Sequence, residues 1–289
     1  MASRQQIKQR IRSVKSTKQI TKAMQLVAAS KLRKAQDAAA GPQEYSRVAR
    51  EMLTSLRQLA AGEPSSQLFQ QRQVKRRLLV VIASDRTLAG AYNVNVNRRM
   101  LVELGQDRAA GIETEVVTIG RQAANAAARI QGLKIAGVYT GFPDRPTASA
   151  IRPVLATAID RFQAGEVDDV AVIYTHFKST ISQIVEVRRL LPAGFEEAPR
   201  NNVIERATVE PSVEALLEST TRRLLEVQVY QALLEATASE HSMRMIAMKN
   251  ATDNASDLIE DYTLEYNNAR QAAITQELAE ISGGAEAMK

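Results

Sequence analysis

Ile259-Glu-Asp-Tyr262-Thr-Leu-Glu-Tyr266-Asn-Asn-Ala269-Arg-Gln-Ala-Ala273 is the stretch on which the fold turns. Its apolar positions Ile259, Tyr262, Tyr266, Ala269 and Ala273 stand 3, 4, 3 and 4 apart. That spacing keeps one face of a helix turned toward a partner helix, as in a coiled-coil seam. The stretch lies within Ser212–Ser282, 71 residues with no Gly or Pro. Pro211 suits a first helical turn, and Gly283-Gly284 is a natural stop. At a rise of 1.5 Å per residue such a helix reaches about 107 Å. No ordinary globular domain encloses that length, so the chain must provide a second long helix to lie beside it.

The other end of the chain provides one. Ser3 to Ala40 also lacks Gly and Pro, and Ser3 with Gln6 reads as a capping box. Ile7, Ile11 and Val14 follow the 4, 3 step of a seam. Lys18 and Thr21 break it, and Ile20, Met24 and Val27 are expected to resume it in a shifted register. Gly41-Pro42 predicts a kink or break. Val48, Met52, Leu56 and Leu59 then continue an amphipathic stretch to Ala61, before Gly62 and Pro64.

Between the helices the period changes. Leu78–Ala83, Glu115–Ile119 and Val170–Tyr174 are short apolar runs rich in β-branched residues, as buried parallel strands are. Helical segments at about 91–105, 121–130 and 147–163 separate them. Such alternation implies right-handed βαβ units in a doubly wound, Rossmann-like sheet. Ser182–Leu191 follows Tyr174 with room only for a turn and is expected as an antiparallel edge. The predicted fold class is α/β with long helices. It comprises an N-terminal coiled-coil helix (1–61), a central α/β domain (75–192), a connecting loop (193–209), a C-terminal coiled-coil helix (210–282) and a tail (283–289).

Charge supports pairing of the ends. Residues 1–36 carry ten basic side chains and no acidic one, whereas Asp253, Asp257, Glu260, Asp261 and Glu265 lie in a stretch without a base. If residue 58 lies near residue 212, residue k faces about residue 270 − k, from equal rise on both helices. Met24 then meets Ile246, Ile11 meets Ile259, and the basic stretch 4–22 lies opposite 253–265. The N-terminal helix is exhausted near residue 267. Asn268–Ser282 would project alone with Ile274, Leu278 and Ile281 uncovered, and so short an isolated helix is marginal in water. A rod with a tip that wants a sleeve suggests a shaft within a ring.

Other chemistry is sparse. The chain has 289 residues, a net charge of +6, no Cys and two His. Neither a disulfide framework nor a thiolate metal site is possible, and no metal or cofactor is expected. No apolar run nears the roughly 20 residues that span a bilayer. Ala83–Gly90 sits where a phosphate loop would, but it lacks both GxGxxG and GxxxxGK[ST] spacing, so Asp85 and Gly90 are read as turn residues. Glu196-Glu197 and Glu260-Asp261 are adjacent rather than facing and carry no catalytic signal. Met243, Met245 and Met248 read as packing residues and His241 as a surface residue. A basic coiled coil can also bind nucleic acid, which remains the alternative reading; it predicts strongly salt-dependent DNA binding. A nucleotide enzyme built on the central domain would need the missing glycine-rich loop.

Several longer motifs point to one family. Ile11-Arg-Ser-Val-Lys-Ser-Thr-Lys-Gln-Ile-Thr-Lys-Ala-Met24 and Val27-Ala-Ala-Ser-Lys-Leu-Arg-Lys-Ala-Gln36 resemble the N-terminal signature of F-type ATP synthase γ subunits. Arg244-Met-Ile-Ala-Met-Lys-Asn-Ala-Thr-Asp-Asn254 and Tyr266-Asn-Asn-Ala-Arg-Gln-Ala-Ala-Ile-Thr-Gln-Glu-Leu278 resemble its C-terminal signature. Ser84-Asp-Arg with Gly90-Ala-Tyr-Asn93 is similar to the family's first strand–helix turn.

The resemblance implies a non-catalytic rotor shaft, present once per complex. Its coiled coil lies inside an α3β3 hexamer, and its α/β domain sits with the ε subunit on the membrane c-ring. Proton-driven rotation of that ring cycles the catalytic β subunits. Met24, Arg244, Arg270, Gln271 and Thr275 match positions that contact β, and Ile274, Leu278 and Ile281 would form an apolar bearing. A peripheral place on the cytoplasmic face of a bacterial plasma membrane is expected, since no cleavable leader precedes the start. Nucleic acid is not an expected partner. Two departures stand out. Thr87 replaces a Gly of many members, and the 193–209 loop is short and Cys-free where the chloroplast type carries two Cys.

Overall fold

A computed structural model describes residues 4–59, 67–144, 146–193 and 212–287. The connecting loop expected at 193–209 lies almost wholly outside them. The elements run α1 (Arg4–Leu59), a 3-10 turn at Gln67–Phe69, β1 (Arg76–Ile82), α2 (Tyr92–Ala109), β2 (Glu113–Ile119), α3 (Arg121–Ala127), β3 (Lys134–Tyr139), α4 (Ala148–Gln163), β4 (Asp169–Phe177), β5 (Gln183–Leu191) and α5 (Val213–Ala287). The chain divides into two compact units, Met1–Ala28 with Arg244–Lys289 and Ala29–Met243.

In the larger unit the strands order β3-β2-β1-β4-β5. β1 pairs in parallel with both β2 and β4, and β5 runs antiparallel to β4 at the edge. The central strands are apolar on both sides because both faces are covered. Leu78, Val80, Ile82, Val117, Val172 and Tyr174 pack on one face with α4, through Ile151, Val154, Ile159 and Phe162. Leu79, Val81, Val116, Ala171 and Ile173 pack on the other with α2, through Tyr92, Val96 and Met100, and with Ala123 and Ala127 of α3. The sheet is doubly wound, with one addition that the sequence does not announce. Leu225, Val229, Ala232, Leu233 and Ala236 of α5 join α4 over the first face. This part of the long helix is therefore core of the α/β unit. Nearer its start, Leu217 and Leu224 of α5 pack with Ala49 and Leu53 of α1.

Charges are buried where strands begin. Arg77 on β1 meets Asp169, its β4 neighbour in register, at 3.0 Å, and reaches Glu103 at 3.0 Å and Asp107 at 3.1 Å on α2. Arg189 closes on Asp169 at 2.7 Å. One guanidinium thus neutralises carboxylates from two elements, the condition under which buried ions are tolerated.

The smaller unit joins the two chain ends side by side. Thr252 and Thr21 hydroxyls lie 2.8 Å apart, and Arg10 lies over the Tyr262 ring at 5.9 Å. Paired numbers therefore add to about 273, three more than the 270 expected. Met24 stands opposite Lys249 rather than Ile246, and Ile11 opposite Tyr262 rather than Ile259. The expected seam shift is also absent. Ile20 and Val27 are 58% and 54% exposed, whereas Thr21 and Ala28 are buried. The seam runs unshifted through Ile7, Ile11, Val14, Lys18 and Thr21 to Ala28, at constant 4, 3 spacing. Polar residues at 18 and 21 disguised it. On α5 the half-buried Ile259, Tyr262, Tyr266, Ala269 and Ala273 keep their expected side.

Glycine neither breaks α1 at Gly41-Pro42 nor stops α5 at Gly283-Gly284, and α5 runs on to Ala287. Pro42 removes one N–H donor and each Gly costs about 1 kcal/mol, penalties that a long helix absorbs.

Candidate functional site: the free end of the C-terminal helix

The β1–α2 loop is fully occupied by its own structure. Asp85 accepts the Arg121 N–H at 3.0 Å and the Gly141 N–H at 2.8 Å, so its carboxylate ties the loops after β1, β2 and β3 together. Ser84 donates its N–H to Asn93 Oδ1 at 3.1 Å, and its hydroxyl donates to the Arg86 carbonyl at 2.6 Å. Leu88 (φ 62°) and Gly90 (φ 56°) turn the chain, so the left-handed conformation falls beside Thr87, not on it. Among the described residues no group of three His, Cys, Asp or Glu is placed to hold a metal ion, and no helix is long and apolar enough to cross a membrane.

His176 and His241 serve the fold. His176 Nδ1 meets Glu235 Oε2 at 2.5 Å. His241 is buried, not on the surface as expected, with its Nε2 3.7 Å from Asp144. Asp144 also holds Lys31 at 2.8 Å. Burial would raise the Asp144 carboxyl, but Lys31 outweighs this and holds it below the usual range.

What stands out is the end of α5. At a register of 273, the first α1 residue, Arg4, stands opposite Ala269. Beyond it, no described residue of α1 stands beside α5. Ile274, Leu278 and Ile281 are 46%, 59% and 70% exposed. They do not continue the seam. At 100° per residue their face is turned roughly 100° from that of Ile259, Tyr262, Tyr266, Ala269 and Ala273. The next seam positions are Gln276 and Glu280, both polar. The seam pattern thus ends at Ala273, and a second, exposed apolar face begins at Ile274.

Arg270 and Gln271 are exposed beside this second face. Thr275 donates to the Gln271 carbonyl at 3.0 Å, which is ordinary helical back-bonding. Met24 is half-buried, and Arg244 is 9% exposed at the boundary of the unit. The residues inferred from family likeness thus form two sets, one on the free end and one at the paired base. Ile20 and Val27 flank Met24 one helical turn away on either side and share its outward face. Their i, i+4, i+7 spacing signalled a helix stripe, but the stripe was assigned to the seam.

A family model described as ATP synthase matches residues 3–288. Over its full length the chain is 41% identical to the ATP synthase gamma chain of Chloroflexus aurantiacus, covering 99% of that protein. It is 40% identical to the ATP synthase gamma chain of Stenotrophomonas maltophilia, with 100% of each covered. In the central stalk and c-ring structure of the Tetrahymena thermophila mitochondrial ATP synthase, a chain of 25% identity gives a TM-score of 0.62, covering 80% of this chain and 99% of that one. A chain of the Euglena gracilis mitochondrial ATP synthase shares the fold with a TM-score of 0.67 at 18% identity, over 99% of this chain and 94% of that one.

Proposed function

The chain belongs to the ATP synthase gamma chain family, the non-catalytic central-stalk rotor of F-type ATP synthases, and we propose that the free end of α5 is the part an α3β3 hexamer grips. The carrying observation is the second apolar face, which is exposed, distinct from the seam and beyond the reach of α1. An apolar collar around Ile274, Leu278 and Ile281 slides with little preference among angles. Hydrogen bonds from Arg270, Gln271 and Thr275 depend on angle, so these residues carry coupling, with Met24 and Arg244 contacting β lower on the shaft. Chemistry resides on the β subunits, and rotation of this shaft cycles them. The ε subunit and the c-ring would meet the α/β unit, one copy serves each complex, and the complex lies at the cytoplasmic face of a bacterial plasma membrane. The nucleic-acid reading is dropped, because the basic stretch lies along the acidic one in the observed register.

The test is a membrane preparation carrying Arg270→Ala with Gln271→Ala. Assembly with subunits in a 3:3:1:1:1 ratio and ATP hydrolysis within about threefold of normal are expected, with ATP-driven proton pumping reduced at least tenfold, or about 1.4 kcal/mol of lost coupling. Pumping in proportion to hydrolysis would refute the coupling role. Absence of co-purifying α and β subunits would refute the grip itself.

A further inference from the structure

The seam of the terminal unit contains a hydrogen-bonded polar layer. Thr21 and Thr252 are 231 positions apart, yet their hydroxyl oxygens lie 2.8 Å from each other. They are only 8% and 6% exposed. Thr21 Oγ1 also lies 3.1 Å from the Lys18 carbonyl, and Thr252 Oγ1 lies 2.8 Å from that of Met248. Two hydroxyl protons are therefore shared among the two carbonyls and the facing hydroxyls. The layer is satisfied within the two helices and needs no water.

The rest of the seam discriminates poorly among registers. Its heptad spacing repeats on both helices, so a slide by seven residues again sets seam against seam. In the two slid registers Thr21 would face Met245 or Ile259, and Thr252 would face Val14 or Ala28. All four are apolar. The small Ala28 and Ala255 tolerate either arrangement. Within the terminal unit a slide thus preserves apolar contact across the seam but parts the hydroxyl pair, along with the Arg10–Tyr262 contact beside it. Polar groups at seam positions select register in this way, at a cost in stability.

We propose that Thr21 and Thr252 are positioning residues that lock the register of the terminal helices, and so set how much of α5 is left unpaired. A one-heptad slide moves the helices past each other by about 10 Å. It would lengthen or shorten the free end by two turns. The consequence for coupling rests on the free end being gripped, whereas the register itself does not.

Because the chain has no Cys, paired cysteines report register directly. Ile11→Cys is combined in the full chain with Tyr262→Cys for the observed register, or with Ala255→Cys or Ala269→Cys for the slid ones. With both threonines present, oxidation should give the 11–262 disulfide at least tenfold over the others. With Thr21→Val and Thr252→Val, the 11–255 or 11–269 disulfide should rise at least fivefold, while helicity by circular dichroism is retained. Thr21→Ser with Thr252→Ser should restore the original selectivity. The proposal is overturned if the valine pair still gives only the 11–262 disulfide, or if the threonine chain forms all three equally. It is also overturned if the valine pair loses its helicity, because the lock is predicted to select among paired states. Failure of the Arg270 and Gln271 experiment would leave every one of these outcomes unchanged.

Discussion

Gly120 shows how much a single residue carries in the central unit. It links β2 to α3 at φ 92°, and a Cβ there would lie 2.2 Å from the Ala83 carbonyl oxygen. That oxygen belongs to backbone at the end of β1 and cannot swing aside. Gly120→Ala should therefore destabilise the unit by about 3 kcal/mol, combining strain with overpacking. A urea midpoint within error of the parent would contradict this. Residue types were legible at this scale where local chemistry decides them. Asp85 and Gly90 read as turn residues, and Gly90 does turn the chain at φ 56°, but the Asp85 carboxylate binds the Arg121 and Gly141 N–H groups, partners far off in sequence. Thr21 misled for the same reason. A hydroxyl in a seam looks like an interruption until its partner, far off in sequence, is known.

At the scale of elements, the parallel strands that were read correctly are those buried on both faces, and β5 was read from the short turn that precedes it. β3 was missed because Lys134-Ile-Ala-Gly-Val-Tyr139 is an edge strand, partly exposed, with a register irregularity between Val116 and Val117 of its neighbour. Its sequence never had to be apolar throughout. The stretch of α5 around 224–236 escaped for the opposite reason. It is buried nearly all round, so no seam periodicity shows. Carboxylates stitch these elements together. Burial would raise Glu115 on β2, but hydrogen bonds from Lys134 on β3 and Arg161 on α4 outweigh it and hold the group below the usual range. Burial likewise opposes, and the N–H groups of Lys75 (3.0 Å) and Arg76 (2.9 Å) overcome it, at Asp168. Both folded values lie below the unfolded ones. Their stabilisation is therefore complete above the unfolded value of about 4 and lost as pH falls through the folded values. The urea midpoint should be level from pH 7 to about 5 and drop below about pH 4. Glu115→Gln should lower the midpoint at pH 7 and shallow that drop. An unchanged slope would remove Glu115 from the account.

For the molecule as a whole, the free end of α5 is a helix whose stability depends on company. Its backbone hydrogen bonds are internal, but beyond Ala269 no α1 residue stands opposite, and Ile274, Leu278 and Ile281 face outward. A helix end of this length gains little from propensity alone, since most helical stability in proteins comes from packing an apolar face. Local opening free energy near zero is expected there, against much higher values where the seam is closed. This property was visible in sequence as an excess of one helix over the other. The 270 register placed the excess about two residues early, because it assumed equal travel from the α/β unit on both helices.

Hydrogen exchange measures the difference directly. In the chain alone, amides of 274–282 should exchange within about tenfold of the unstructured rate, whereas those around Met248, Thr252 and Ala255 should be protected. In the assembled complex, enclosure should slow 274–282 by at least a hundredfold, which corresponds to about 2.7 kcal/mol of added local stability. If these amides are already slow in the chain alone, the end is stable without a sleeve. If they stay fast in the complex, nothing encloses them and the second apolar face has some other purpose. Replacing Ile274 and Leu278 by Ser should leave the isolated chain's exchange unaltered and abolish most of the protection gained on assembly, because only the enclosed state uses those side chains.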